Sequence, residues 1–156
     1  MRRVTSSLLT LILAATLTAC SSTEEISQPT NSKLDGIDQP TPTCSTQEFV
    51  AGSGWIKGQL KAFEEADAEK AYSYASETFQ RANSVEDFAA IIVSQYTMLL
   101  DIKDYQIISC DKSGEMFSFK VKISDNQGDS YAMEYILSRN GERWGVDGAS
   151  VTFKVS

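Results

Sequence analysis

The sequence predicts an α+β domain in which N-terminal helices pack on a curved antiparallel sheet. Three observations carry this. Apolar residues recur at helical spacing from Phe49 to Leu99, they alternate with polar ones at a period of two after Asp104, and all three prolines (Pro29, Pro40 and Pro42) precede the periodic part. Helices followed by strands give an α+β layering with helices on one face of the sheet.

The first helical face is marked by Phe49, Ile56, Leu60 and Phe63, at steps of seven, four and three. Asp67 can cap a second, short helix carrying Ala71, Tyr72 and Ala75. Ser76 can cap a further turn that presents Phe79. Ser84-Val85-Glu86-Asp87 resembles a capping box, with Asp in place of the usual Glu, and the helix after it would turn Phe88, Ile91, Ile92, Tyr96 and Leu99 inward.

Tyr105 to Cys110 is the first strand candidate. Phe117, Phe119, Val121 and Ile123 alternate with Ser118, Lys120 and Lys122, which makes one face apolar and the other wet. A turn over residues 125–129 leads into Tyr131, Met133, Tyr135 and Leu137, again alternating. Asn140-Gly141 predicts a type I′ hairpin. The last strand, or pair of strands, spans 143–155, with Gly145 and Gly148 marking a bend or bulge.

Ahead of this domain the chain has a different character. Arg2 and Arg3 precede an apolar run from Leu8 to Leu17 that is too short to span a bilayer, the pattern of a secretory leader. Leu17-Thr18-Ala19-Cys20 resembles a bacterial lipobox. That resemblance implies cleavage before Cys20 and acylation of Cys20, leaving 137 of the 156 residues. The predicted organisation is a leader over 1–19, a lipidated polar tether over 20–43 and a domain over 44–156. The expected location is the cell envelope, on the outer side of the cytoplasmic membrane or on an outer membrane. Two acyl chains anchor stably where one is marginal. Without the leader, 12 Lys and Arg face 21 Asp and Glu. So acidic a chain is a poor fit for nucleic acid or for an anionic bilayer surface, and membrane contact is expected through the anchor on Cys20 alone.

With Cys20 lipidated, Cys44 and Cys110 remain in an exported region where disulfides persist. A bridge between them would tie the start of the domain to its middle. The alternative is two unpaired thiols, one buried and one exposed.

The order of elements is similar to the nuclear transport factor 2-like / ketosteroid isomerase-like (cystatin-like) superfamily, and the resemblance covers residues 44–156. It implies a cone in which three helices close the concave side of a bent sheet. Gln59-Leu60-Lys61-Ala62-Phe63, residues 71–76 (Ala-Tyr-Ser-Tyr-Ala-Ser), Phe79-Gln80 and residues 143–148 (Arg-Trp-Gly-Val-Asp-Gly) look like an uncharacterised bacterial family of that superfamily. The chain has Gly145 where that family more often has Arg. The fold hosts enzymes, binding modules and assembly domains alike, so it does not choose a chemistry.

The sequence contains no histidine, which removes Ser-His-Asp and Cys-His machinery and the common zinc sites. No catalytic residue, metal site or cofactor is assigned. Asp147 is the candidate for pocket acid–base chemistry, set against a place on the wet side or in a bulge. The Asp125 turn does not fit an EF-hand: counted from Asp125, Gly128 is fourth and Ile136 twelfth, where Gly at six and an acid at twelve are needed. It is expected to be a solvated hairpin turn. Glu64, Glu65, Asp67 and Glu69 form an acidic run, a solvated face or a surface for a cationic partner. Tyr72, Phe79, Tyr96, Met133, Tyr135 and Trp144, with Met98, are the candidates to line a cone, against a simple core role. The leading expectation is therefore a non-catalytic lipoprotein that binds a small apolar ligand or an envelope protein, with the sheet as a candidate homodimer surface. The alternatives are a small isomerase- or hydrolase-like pocket enzyme using Asp and Tyr, and a structural envelope component.

Overall fold

A computed structural model of the chain describes residues 43–155; the expected leader over 1–19, Cys20 and the expected tether up to Pro42 lie outside the described residues. Four helices, α1 (Thr46–Glu64), α2 (Ala68–Ser73), α3 (Glu77–Ala82) and α4 (Val85–Gln95), and a 3-10 turn (Thr97–Leu100) precede four strands. The strands β1 (Ile102–Ser113), β2 (Met116–Asp125), β3 (Ser130–Asn140) and β4 (Arg143–Val155) form one antiparallel meander in the order β1-β2-β3-β4.

Local chemistry sets the helix ends. Ser45 and Glu48 form a reciprocal capping box at α1, Asp67 caps α2, Ser76 caps α3, and Ser84 with Asp87 boxes α4. The α1 helix ends in a Schellman arrangement: the Asp67 N–H donates to the Ala62 carbonyl (2.9 Å) and the Ala66 N–H to the Phe63 carbonyl (3.0 Å). Ala66 takes the left-handed position there, at φ 54°, where glycine is usual. The α4 helix stops at Gln95, so Tyr96 and Leu99 point inward from its cap and from the 3-10 turn rather than from the helix.

The sheet is curved by irregular pairing. In β4, Val146 pairs with Leu137 and Gly148 with Ile136, which leaves Asp147 as an extra residue; Thr152 is extra in the same way, and β1 has two register shifts. Both two-residue hairpin loops begin with glycine: Gly114 (φ 61°) before Glu115 and Gly141 (φ 62°) before Glu142. A positive φ at the first loop position alone is the type II′ pattern, so Asn140 ends β3 and does not enter the turn as a type I′ reading requires.

The inner face of the sheet carries Phe117, Phe119, Val121, Ile123, Met133 and Leu137, all buried against Ile56, Leu60 and Phe63 of α1 and Phe88 and Ile92 of α4. The α1 helix comes so close at Gly52 that a side chain there would meet the Phe119 ring at 2.4 Å. The Cys44 and Cys110 sulfurs are placed as a disulfide pair, Cα atoms 5.6 Å apart. Beside them Lys112 of β1 bonds to Glu48 of α1 (2.6 Å). The segment between α2 and α3 docks on the free edge of β4: the Ser76 N–H donates to the Val146 carbonyl (2.8 Å) and the Val146 N–H to the Tyr74 carbonyl (2.9 Å).

Candidate functional site

Between the helices and the inner face of β3–β4 lies a cavity of about 130 Å³. One wall is aromatic: Phe63, Phe79 and Phe88, with Phe88 5.9 Å from Phe63 and 6.0 Å from Phe79 between ring centres. Ile91, Ile92 and Leu99 close the α4 side. The floor is Tyr135, Val146, Gly148 and Ala149, and Ala75 closes the side next to β4. Space remains because three of these positions, Ala75, Gly148 and Ala149, carry almost no side chain.

Three polar side chains reach this apolar space. Gln59 is buried on α1, and its Nε2 donates to the Ala71 carbonyl (3.1 Å). That carbonyl can only accept, so the amide oxygen is the free end of the side chain. Tyr96 donates its hydroxyl to the Ala149 carbonyl (2.6 Å), tying the end of α4 to β4. Tyr135, 1 % exposed, has a hydroxyl with no hydrogen-bond partner. Burial, and secondarily Tyr96, pushes the Tyr135 phenol well above its ordinary pKa, so it stays a neutral O–H donor. A buried, unpaired hydroxyl costs stability and calls for a reason.

Of the candidate pocket residues, the structure brings Phe79, Tyr96 and Tyr135 together. The others lie elsewhere. The Tyr72 hydroxyl bonds the Asn83 carbonyl (2.6 Å) and lies 3.1 Å from that of Gln80, joining α2 to α3. Met133 and Met98 are core residues, and Trp144 packs on Phe117 at 4.5 Å, away from the cavity. Asp147, the extra residue of the β4 bulge, does not line the cavity either, although its Oδ2 is buried without a partner. Gln59 is the polar residue that the sequence reading passed over; its signal is a glutamine inside the apolar stripe of Ile56, Leu60 and Phe63.

Asp125 departs from the expected solvated turn. It is buried, accepts from the backbone N–H groups of Gln127 (3.0 Å) and Asp129 (2.9 Å), and accepts from the Tyr131 hydroxyl (3.0 Å). The turn is thus built around one carboxylate. In the acidic run, Glu65 bonds Lys70 (2.7 Å), which holds its carboxyl below the usual range, and Asp67 caps α2. Among the described residues no group of three His, Cys, Asp or Glu is placed to hold a metal, and no helix is long and apolar enough to cross a membrane.

Residues 48–155 match the family described as a domain of unknown function (DUF4864). The chain belongs to that family. A search of curated proteins finds no match. Among solved structures, the family fold is similar to an NTF2-like protein of unknown function from Shewanella baltica OS155, at TM-score 0.51 and 12% identity, over 71% of this chain and 98% of that one. At that identity the likeness concerns the fold alone: helices followed by a curved four-stranded antiparallel sheet, NTF2-like.

Proposed function

We propose that this chain is an envelope lipoprotein, held by acylated Cys20 outside the cytoplasmic membrane, whose domain binds a small, largely apolar molecule without transforming it. The observation that carries the binding reading is an apolar cavity lined by Tyr135, whose buried hydroxyl has no hydrogen-bond partner. Cavities of ~150 Å³ accept a benzene-sized molecule, so the ligand is a compact ring or short branched chain with an oxygen that Tyr135 can bond. The leader, the Leu17-Thr18-Ala19-Cys20 sequence and a disulfide between Cys44 and Cys110 all fit an exported, oxidising location. The acid–base alternative needs a carboxylate facing the cavity, and among the described residues none of its lining residues is Asp or Glu.

The binding test is a calorimetric or NMR titration with cyclohexanone, p-cresol and benzene. The reading expects the oxygen-bearing probes to bind wild-type protein at least tenfold more tightly than Tyr135→Phe, with benzene insensitive to the change. If no probe binds, or if all bind both proteins equally, the reading fails. Localisation is tested separately: the wild type should fractionate with membranes, and Cys20→Ala should not.

The outer face of the sheet is the surface proposed for a second copy or an envelope protein. It presents Lys120, Lys122 and a Ser118–Glu134 hydrogen bond, with Met116, Ile136 and Phe153 among its large apolar side chains.

A further inference from the structure

The chain has five arginines; two are in the expected leader, and the other three are Arg81, Arg139 and Arg143. Two of them, Arg81 and Arg143, share one cleft, and Arg139 does not line it. Between α3 and the β3–β4 hairpin end lies a cleft of about 200 Å³, lined by Arg81, Arg143, Trp144, Thr78, Ser138 and Asn140 among others. Arg139 lies over the Trp144 ring at 5.8 Å. The eight lysines of the described residues are spread elsewhere, and none lines the cleft. The cleft shares no lining residue with the Tyr135 cavity.

Glu77 links two of the guanidiniums. Its Oε1 lies 3.3 Å from Arg143 Nη1 and its Oε2 lies 4.0 Å from Arg81 Nη1. Arg81 also donates to the Thr78 hydroxyl (3.1 Å). These pairs are long and half or more exposed, so they add little to stability. What they do is hold two guanidiniums side by side. Among the residues that line the cleft, one carboxylate, Glu77, faces two guanidiniums, Arg81 and Arg143. Each guanidinium keeps most of its five N–H donors unspent. Arginine, unlike lysine, presents these as a planar fork matched to the two oxygens of a carboxylate or phosphate.

We propose that the Arg81–Arg143 cleft binds an oxyanion, the carboxylate or phosphate group of a small ligand. Arg81 and Arg143 grip its oxygens.

The test uses the Nε–H resonances of Arg81, Arg139 and Arg143 in the purified protein, observed by NMR at constant ionic strength with sodium chloride as the balancing salt. Inorganic phosphate and acetate are titrated separately, and whichever saturates identifies the group. The expected result is saturable shifts at Arg81 and Arg143 with at least one of the two. Arg143→Gln should weaken binding at least tenfold, and Arg143→Lys severalfold, because the charge remains but the fork is lost. Glu77→Gln should strengthen it, since the competing carboxylate is gone. Lys120→Gln should leave it unchanged. Linear shifts without saturation for both anions, or equal losses in Lys120→Gln and Arg143→Gln, would overturn the proposal.

Discussion

The Tyr96 hydroxyl donates to the Ala149 carbonyl across 53 residues of chain, at 2.6 Å. Tyr96 is the C-cap of α4, and Ala149 lies on the floor of the cavity in β4. This bond, together with the apolar contacts of Ile91 and Ile92, fixes the distance between the α4 wall and the floor. Tyr96→Phe should therefore lower unfolding free energy by about 1 kcal/mol, the net worth of one such hydrogen bond. Urea denaturation measures it, and an unchanged midpoint would show that the bond is not kept in solution.

Tyr135→Phe should act in the opposite sense. Removing a buried hydroxyl that lacks a partner relieves a desolvation penalty of about 1 kcal/mol or more. The pH dependence follows from the raised pKa. A phenol that ionises less readily when folded than when unfolded adds no pH dependence below pH ~10, and it lowers stability as pH rises further. The variant should melt higher at pH 7 and lose less stability in alkali. A lower melting temperature at pH 7 would mean that the hydroxyl has a partner after all.

Ala66→Gly should stabilise the domain. Ala66 is exposed and sits at φ 54°, a conformation that costs an L-residue with a Cβ ~1–2 kcal/mol. After the greater backbone freedom of glycine when unfolded is deducted, a gain of about 0.5–1 kcal/mol should remain. Thermal or urea melts decide it.

Glu48 controls the acid limb. Its carboxyl is lowered to about 2, first by the bond from Lys112 and then by the Ser45 hydroxyl and backbone. In the unfolded chain it titrates near 4.3. Between those values the unfolded state binds more protons, so the Glu48 contribution is present above about pH 4.3 and drains away as pH falls toward 2. Asp87, lowered by its bonds with Ser84, acts in the same direction. Glu48→Gln should flatten the melting-temperature profile below pH 5. An identical slope in the two proteins would refute the assignment.

Gly145→Ala should be poorly tolerated. A Cβ there would fall 2.5 Å from the Ser76 Cα, in a segment that two backbone hydrogen bonds, one from Ser76 and one to Tyr74, hold on β4. Overpacking of this kind costs about 1–3 kcal/mol, and a neutral result in denaturation would show that the α2–α3 segment can shift freely.

What the sequence made legible was local. Asp67, Ser76 and Ser84 announce helix starts because a cap needs only its own next three residues. The alternation of Phe117, Phe119, Val121 and Ile123 announces a one-sided strand for the same reason. The Ser45–Glu48 box had an equally local signal. The cavity had none of this kind. Aromatic type suggested Tyr72 and Trp144, but Tyr72 is drawn away by carbonyls in α3, and Trp144 lies further along β4, beyond the Asp147 bulge, against Phe117. The empty space is created by small residues, Ala75, Gly148 and Ala149, whose contribution is what they leave out. Gly145, the departure from the commoner Arg, was visible in sequence, while its cause, the backbone of Ser76, lies 69 positions away.

The bond between Cys44 and Cys110 also has a mechanical consequence. Tension arriving from the amino-terminal side meets Cys44 before it meets α1, and a covalent link passes it straight to Cys110 near the hairpin end of β1. There the strand is paired with β2. A domain towed from its front end would thus be pulled by its sheet, and its first helix would be spared unwinding.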